Sequence, residues 1–225
     1  MSAQSSVQDT LQTADSLFSQ GKYTESFEIY KYILKEEKQV SPAMLLRMSF
    51  IQEGLNNYTE SLYYLNLYYL KTADRKVLDK MEELADEKGL YGYDFNDWEF
   101  IQTIFYRYFF HFTAILLALS MLLLSVAYYL KFKKQQSAAI PSFFLVITLG
   151  LLFYTINYGK NYRKSLIYEN STFIMTGPSA GAEVLTIANK GNRVDVKGQE
   201  DVWTKIEWKG QTGYIKKSKL KPISF

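Results

Sequence analysis

Two long stretches without a charged residue constrain the fold of this chain more than any other feature. The first covers residues 112–130, the second covers residues 135–159, and only the sequence KFKK separates them. A helix needs roughly 20 mostly apolar residues to cross the hydrocarbon core of a bilayer. Tyrosines cluster near the ends of both stretches, as in the aromatic belt of a membrane protein: Tyr106, Tyr108, Tyr128, Tyr129, Tyr154 and Tyr158. The pattern favours a transmembrane hairpin over its alternative, a buried helical hairpin in a soluble protein.

The hairpin separates regions of different charge. Residues 1–100 carry 10 basic and 17 acidic side chains, residues 101–164 carry 7 basic and no acidic ones, and residues 165–225 carry 9 and 6. We therefore expect a multidomain membrane protein with a helical domain over 1–100, a hairpin over 101–162 and a β-domain over 163–225. The two spans are expected at about 110–130 and 138–159, with a loop at 131–137.

A repeated tetrapeptide organises the first region. The sequence YTES begins at Tyr23 and again at Tyr58, 35 residues later, and apolar residues recur between the copies at helical spacing. A helix–turn–helix unit of about 34 residues is the period of tetratricopeptide (TPR) repeats. In both units a turn residue, Gly21 or Asn56, precedes YTES, and a serine, Ser26 or Ser61, stands at the small packing position. Residues 1–100 thus resemble an all-α TPR solenoid, with a capping helix over residues 72–89.

The TPR resemblance implies a core and a binding groove. The expected core residues are Leu17, Tyr23, Tyr30, Leu34, Leu45, Met48, Tyr58, Leu62 and Leu65. In TPR folds the first helix of each pair lines a concave groove, so exposed residues of these helices are the predicted protein-binding contacts: Gln12, Asp15, Ser19, Arg47 and Gln52.

The last 60 residues read as strands. Short runs of Val, Ile, Thr and Trp are broken by Gly-Pro, Lys-Gly and Gly-Gln. The sequences GPS at 177–179, WTKI at 203–206 and GYI at 213–215 resemble the bacterial SH3 type, although Met175 and Thr176 stand where that family usually has Arg and Ser. We expect a small all-β barrel of about five strands near 166–223. Its predicted core is Val184, Val194, Val196, Ile206 and Ile215. Phe173, Trp208 and Tyr214 are predicted to form a protein-binding aromatic cleft, and the alternative for each of them is a place in the core.

The order of these three parts resembles BatE, the TPR- and SH3-containing family of the Bacteroides aerotolerance (Bat) operon. The resemblance implies a cell-envelope protein of Bacteroidetes-like bacteria. Its implied partners are von Willebrand A-domain Bat membrane proteins and, indirectly, a MoxR-type AAA+ ATPase. Two functions follow: a membrane scaffold or adaptor for partner proteins, or an envelope sensor that binds peptidoglycan or a peptide.

Catalytic signatures are missing from the sequence. The chain has no cysteine and one histidine, His111, at the start of the first apolar stretch, where an interfacial residue is favoured over a proton relay. There is no phosphate-binding P-loop. We expect no enzymatic activity, catalytic residue, cofactor, metal or nucleic-acid partner, and we interpret the basic sequence KKSKLK at 216–221 as solubilising charge rather than a lipid contact.

The orientation in the membrane is predicted last. Two spans place both soluble domains on one side. The loop holds Lys131, Lys133 and Lys134 and the other flanks hold Arg107, Lys160, Arg163 and Lys164, so the positive-inside rule does not decide. The apparent lack of a signal peptide favours a cytoplasmic N-terminus, whereas the small residues of the opening MSAQSS resemble a cleavage site near Ala3 and favour an upstream signal peptide that was removed. We adopt the second interpretation. With the BatE resemblance, this predicts a two-pass protein of the bacterial inner membrane with both soluble domains in the periplasm.

Overall fold

The structure is a computed structural model that describes residues 2–37, 40–159 and 162–225. Met1 and Lys160, used in the orientation argument, lie outside the described residues. The chain forms two compact units. One combines residues 1–95 with residues 163–225, and the other comprises residues 96–162.

Five helices build the N-terminal part of the first unit: α1 (Ser2–Ser19), α2 (Tyr23–Tyr32), α3 (Pro42–Gly54), α4 (Tyr58–Thr72) and α5 (Lys76–Glu87). A π-helical turn over Ile33–Glu37 extends α2. Helix α1 packs against α2, and α3 packs against α4. Both YTES copies begin a second helix, as predicted, after turns in which Gly21 and Asn56 have φ of +76° and +59°.

The two hairpins share one packing contact at equivalent positions. The hydroxyl of Ser26 in α2 donates to the carbonyl of Ala14 in α1 at 2.8 Å, and the hydroxyls of Ser49 in α3 and Ser61 in α4 lie 2.9 Å apart. Ser26 and Ser61 are fully buried. The repeated serine is therefore selected by a close crossing of two helices, which leaves no room for a larger side chain.

Most of the predicted helical core is buried, namely Tyr30, Leu45, Met48, Leu62 and Leu65, whereas Leu17, Leu34 and Tyr58 are half-buried. Tyr23 was wrongly predicted as core, because 42% of it is exposed. Its ring lies 5.2 Å from that of Phe18 and 5.8 Å from that of Phe50, in an edge-on cluster. As the first residue of α2, it packs at the end of the hairpin rather than between the helices.

The C-terminal part of the first unit is one antiparallel sheet in the order β3-β2-β6-β5-β4-β1-β7. The strands are β1 (Lys164–Ile167), β2 (Thr172–Met175), β3 (Val184–Ala188), β4 (Arg193–Glu200), β5 (Trp203–Trp208), β6 (Gln211–Lys216) and β7 (Leu220–Pro222). The all-β prediction is confirmed, but the number of about five strands is wrong. The short strands β1 and β7 pair with each other, and β1 also pairs with β4, which adds an edge to the sheet.

The sheet folds around a small apolar core. Ile167, Ile174, Ala188, Val194, Ile206 and Ile215 form it, with Val196 partly buried beside them. Val184 was wrongly placed in this core, because it is 50% exposed. The pairing of β2 with β3 shifts register between Ile174 and Met175. A shift of this kind turns the following side chains to the other face of the sheet, and Val184 follows it.

The second unit contains α6 (Asp97–Arg107), α7 (Phe109–Tyr128) and α8 (Ala139–Tyr158). A π-helical turn extends α7 to Lys133. The two segments Phe109–Lys133 and Ala139–Tyr158 are long and apolar enough to cross a membrane, and 11% of each is buried. Only Tyr108 separates α6 from α7.

Within the first unit, a buried arginine joins the helical part to the sheet. Arg193, at the start of β4, is 2% exposed. Its Nε donates to the carbonyl of Gly92 at 2.6 Å, and its Nη1 donates to the Oδ1 of Asn66 in α4 at 3.3 Å. The guanidinium carbon lies 4.3 Å from the centre of the Phe95 ring. We call these four residues the Arg193 junction.

The backbone on both sides of the Arg193 junction is also hydrogen-bonded. The amide of Tyr91 donates to the Oδ1 of Asn192 at 2.7 Å, and the amide of Arg193 donates to the carbonyl of Tyr91 at 2.9 Å. The hydroxyl of Tyr93 donates to the carbonyl of Gly191 at 2.7 Å. The segment after α5 is therefore tied to the turn before β4 by one backbone and two side-chain hydrogen bonds.

A second contact joins α4 to the C-terminal end of the sheet. The Nζ of Lys221 lies 2.9 Å from one carboxylate oxygen of Glu60 and 3.9 Å from the centre of the Tyr63 ring. The hydroxyl of Tyr168 donates to the same carboxylate. Burial, together with this hydrogen bond, raises the pKa of Tyr168. Glu60 belongs to the second YTES copy, whereas its counterpart Glu25 in the first copy is exposed.

Candidate binding site

A cavity of about 450 Å³ opens on the C-terminal sheet, and we call it the Phe173 cleft. Its apolar lining comes from Phe173, Met175, Ala180, Val184 and Trp203, and its polar lining from Asn170, Ser171, Thr172, Lys216 and Lys219. A volume of roughly 300–1,000 Å³ is typical of cavities that hold small ligands or side chains of a partner.

The strand pattern explains why an aromatic side chain faces solvent here. In β2, Thr172 and Ile174 are buried and Phe173 between them is 54% exposed, because successive side chains point to opposite faces of a strand. The register shift after Ile174 then leaves Val184 at the same opening. The opening at Val184 therefore follows from the bulge between β2 and β3, in which Leu185 of β3 is the unpaired residue.

Two basic side chains line part of the Phe173 cleft. Lys216 and Lys219 are the charged residues among its described lining. Lys216 is the cross-strand partner of Trp203, and its Nζ lies 5.9 Å from the centre of the Trp203 ring. Lys219 forms an ion pair with Glu169 at the rim. An apolar floor with an ammonium group at its edge suits a ligand that is apolar in one part and anionic in another.

These strands carry a recognisable family signature. Residues 171–221 match the family model of the bacterial SH3 domain. The Phe173 cleft lies almost wholly within this SH3 domain. No curated protein and no solved structure matches the chain.

The predicted aromatic cleft of the SH3 domain is only partly assembled. Phe173 lines the cleft, but Trp208 and Tyr214 do not. The ring of Trp208 lies 4.9 Å from that of Tyr91, which comes from the helical part. Tyr214 is half-buried on β6, and Trp203 takes the place of both in the cleft. Sequence reasoning recognised Trp203 only as a strand residue, and its pairing with Lys216 is the feature that it missed.

Two of the predicted groove residues in the helical part bind each other. Asp15 in α1 and Arg47 in α3 form an ion pair, and the hydroxyl of Tyr30 donates to Asp15 at 2.6 Å. The hydrogen bond to Asp15 raises the pKa of Arg47, and burial raises the pKa of Tyr30. This network ties the first hairpin to the second.

The other predicted groove residues differ in exposure. Gln12 and Ser19 are exposed on α1, as expected. Gln52 was wrongly predicted to be exposed, since it is only 4% exposed and its Oε1 accepts a hydrogen bond from Asn57 at 3.1 Å. It closes the turn between α3 and α4, and this side-chain contact could not be read from helical spacing alone.

Among the described residues, no three His, Asp or Glu side chains gather in a group that could hold a metal ion. His111 lies beside Tyr108, with 5.9 Å between the ring centres. The described residues do provide the Phe173 cleft, on a sheet that belongs to one compact unit with the N-terminal helices.

Proposed function

We propose that this chain is a non-enzymatic, membrane-anchored scaffold that holds partner proteins through its SH3 domain and its helical repeats. The observation that carries the proposal is the Phe173 cleft, an open, mostly apolar site on a domain of a binding family. An extended peptide segment with apolar side chains and a carboxylate fits its floor and its lysines best.

The helical part adds a second surface. The 35-residue period, the positive φ at both turns and the buried serines support the interpretation of α1–α4 as two TPR-like repeats. Gln12 and Ser19 remain exposed there for a partner. Domain order supports the resemblance to BatE, and the partners that we propose are therefore membrane proteins with von Willebrand A domains, linked indirectly to a MoxR-type ATPase.

Membrane anchoring is proposed for the segments Phe109–Lys133 and Ala139–Tyr158. Residues before 96 and after 162 belong to one compact unit, which supports the proposal that both soluble parts lie on the same side of the bilayer. We propose that this side is the periplasm of a bacterial inner membrane. Protease added to spheroplasts should then digest both soluble parts. Survival of both until the inner membrane is lysed would reverse the orientation.

A co-purification experiment tests the scaffold. The full chain, extracted in mild detergent, is expected to retain von Willebrand A-domain membrane proteins. Phe173→Ser should reduce that retention strongly, because it removes an exposed wall of the cleft without touching the core. Val202→Ser is the matched control, since Val202 is 53% exposed in the same domain but does not line the cleft. Equal retention by both variants would argue against the cleft.

The alternative function is a sensor or cell-wall binder. The lysines of the cleft are compatible with it as well, because peptides of the cell wall also carry carboxylates. Retention of the full chain on purified peptidoglycan, lost in Phe173→Ser and kept in Val202→Ser, would support this alternative and weaken the scaffold.

A further inference from the structure

An aromatic niche lies at one end of the hairpin in the second unit. It is a cavity of about 290 Å³, and one face of α6 and the last turns of α8 line it, together with Tyr162. The helix α6 contributes residues 98, 101, 102, 105 and 106, which the i, i+3, i+4 geometry of a helix brings to one face. The aromatic members of the niche are Trp98, Phe105, Tyr106, Tyr154, Tyr158 and Tyr162.

Gly159 allows two aromatic rings to approach the end of α8. A Cβ at Gly159 would lie 2.9 Å from both Phe105 and Phe109 and 2.5 Å from the carbonyl of Thr155. Real Cβ atoms do not approach other heavy atoms so closely. The ring of Phe105 can therefore lie against the end of α8 only because residue 159 has no side chain.

The rings of the niche stand at angles to one another rather than in one packed stack. Tyr154 and Tyr158 have ring centres 5.2 Å apart with planes inclined by 35°, and Tyr106 and Tyr162 have centres 6.1 Å apart with planes inclined by 58°. Tyr154 and Tyr158 are 61% and 55% exposed. Several accessible ring faces around one space are the arrangement that recognises an organic ammonium group through cation–π contacts.

The charges around the niche decide which ammonium compound fits. None of its described lining residues is charged, and residues 101–164 contain no Asp or Glu. Asp97 and Glu99 flank Trp98 at the start of α6 but do not line the niche. A neutral lining favours a ligand whose cation is balanced by an anionic group of its own. The amide of Gln102 and the tyrosine hydroxyls at the niche can donate hydrogen bonds to phosphate oxygens.

We propose that the aromatic niche binds the zwitterionic headgroup of an ammonium-bearing phospholipid, such as phosphatidylethanolamine. The inference rests on the proposed membrane anchoring, which places the ends of α7 and α8 at the level of the headgroups. The volume of the niche suits a headgroup rather than a whole lipid. The acyl chains then lie along the exposed apolar surface of α8, where Phe153 is 68% exposed.

The test uses the full chain in vesicles of equal parts phosphatidylethanolamine and phosphatidylglycerol. After gentle detergent extraction, the lipids that remain bound are counted by native mass spectrometry. We expect about one phosphatidylethanolamine per chain, and we expect the double substitution Tyr154→Leu/Tyr158→Leu to weaken its retention by about tenfold, as loss of two cation–π contacts implies. The matched control, Tyr128→Leu/Tyr129→Leu, changes two exposed tyrosines outside the niche and should retain the lipid.

Three results would overturn the inference. Equal retention by the two double variants would remove the niche as the site, and equal retention of both lipids would remove the preference for ammonium. Release of the chain from vesicles by alkaline carbonate would overturn membrane anchoring and this inference together. A chain that resists carbonate but shows no lipid preference would overturn this inference alone.

Discussion

The Nε of Arg193 donates a hydrogen bond to the carbonyl of Gly92 at 2.6 Å, across 101 positions of sequence. The entire second unit, residues 96–162, lies between these two residues in the chain. The contact joins the N-terminal helical part to the C-terminal sheet, and the two parts belong to one compact unit.

The Arg193 junction should dominate the stability of this unit. Arg193→Met keeps much of the side-chain volume but removes the donors to Gly92 and Asn66. Because a buried acceptor left unpaired costs about 1–3 kcal/mol, we expect the free energy of unfolding to fall by about 2–4 kcal/mol. Thermal unfolding in detergent, followed by circular dichroism, measures this fall. Lys197→Met, at a 50% exposed side chain, should change the free energy by less than about 0.5 kcal/mol.

Hydrogen exchange locates the effect of the same substitution. The amide of Tyr91 should exchange faster in Arg193→Met, because its bond to Asn192 belongs to the same contact. Unchanged exchange at Tyr91 together with unchanged stability would show that the junction is not needed to hold the two parts together.

The close approach at Gly92 gives a second prediction. Its φ is +93°, and a Cβ there would lie 2.0 Å from the carbonyl oxygen of Arg193. Gly92→Ala should therefore combine a backbone penalty of about 1–2 kcal/mol with a steric one of about 1–3 kcal/mol. Gly89→Ala is the control, because Gly89 also has a positive φ, +62°, but faces open space. Thermal unfolding should show only the backbone penalty in Gly89→Ala, and equal losses in both variants would contradict the steric argument.

Because Ser49 and Ser61 are hydrogen-bonded to each other, we expect the stability losses from substituting them to be non-additive. Ser49→Ala or Ser61→Ala alone leaves one buried hydroxyl without its partner and should cost about 1–2 kcal/mol. The double substitution removes both hydroxyls and should cost less than the sum of the two single changes. A double-mutant cycle by chemical denaturation measures the difference. Strictly additive losses would mean that the two hydroxyls do not depend on each other.

Stability should also fall at alkaline pH. Tyr64 is 4% exposed, and burial raises its pKa above the ordinary value of about 10. Above pH 10 the unfolded chain releases the phenolic proton and the folded chain keeps it, so the free energy of unfolding falls as pH rises through this range. Below pH 10 this contribution is fully present. In Tyr64→Phe the decline between pH 10 and 11.5, measured by thermal unfolding, should be shallower, and an identical decline would exclude this tyrosine as a cause.

Short sequence patterns were sufficient to predict where most helices of this fold lie. The period of 35 residues predicted where α2 and α4 begin, and the small size of Ser26 and Ser61 predicted that helices cross there. The length of the uncharged stretches predicted α7 and α8 nearly to the residue. These features depend on contacts between residues that are near each other in the chain. Such contacts require a regular pattern of apolar and small residues, which is visible in the sequence.

The lining of the Phe173 cleft could not be predicted in full from such patterns. Phe173 was predicted to be exposed in a cleft, but its neighbour there is Trp203 rather than Trp208, because Trp208 packs on Tyr91 of the helical part. Similarly, Val184 is outside the core because of a bulge at Leu185 in β3, which no feature of the composition indicates. Both outcomes depend on which distant segments meet, and the alternation within one strand does not contain that information.

By itself, the sequence determined the three kinds of structure and their order, because apolar length, helical period and strand-breaking residues act locally. Only the tertiary structure decided that the first and last parts form one unit through Arg193. An arginine followed by alternating apolar residues reads as an ordinary strand start, and its burial becomes favourable only when the carbonyl of Gly92, the amide of Asn66 and the ring of Phe95 surround it. Burying a charge is costly unless partners replace its water, and here those partners come from residues that are roughly a hundred positions away.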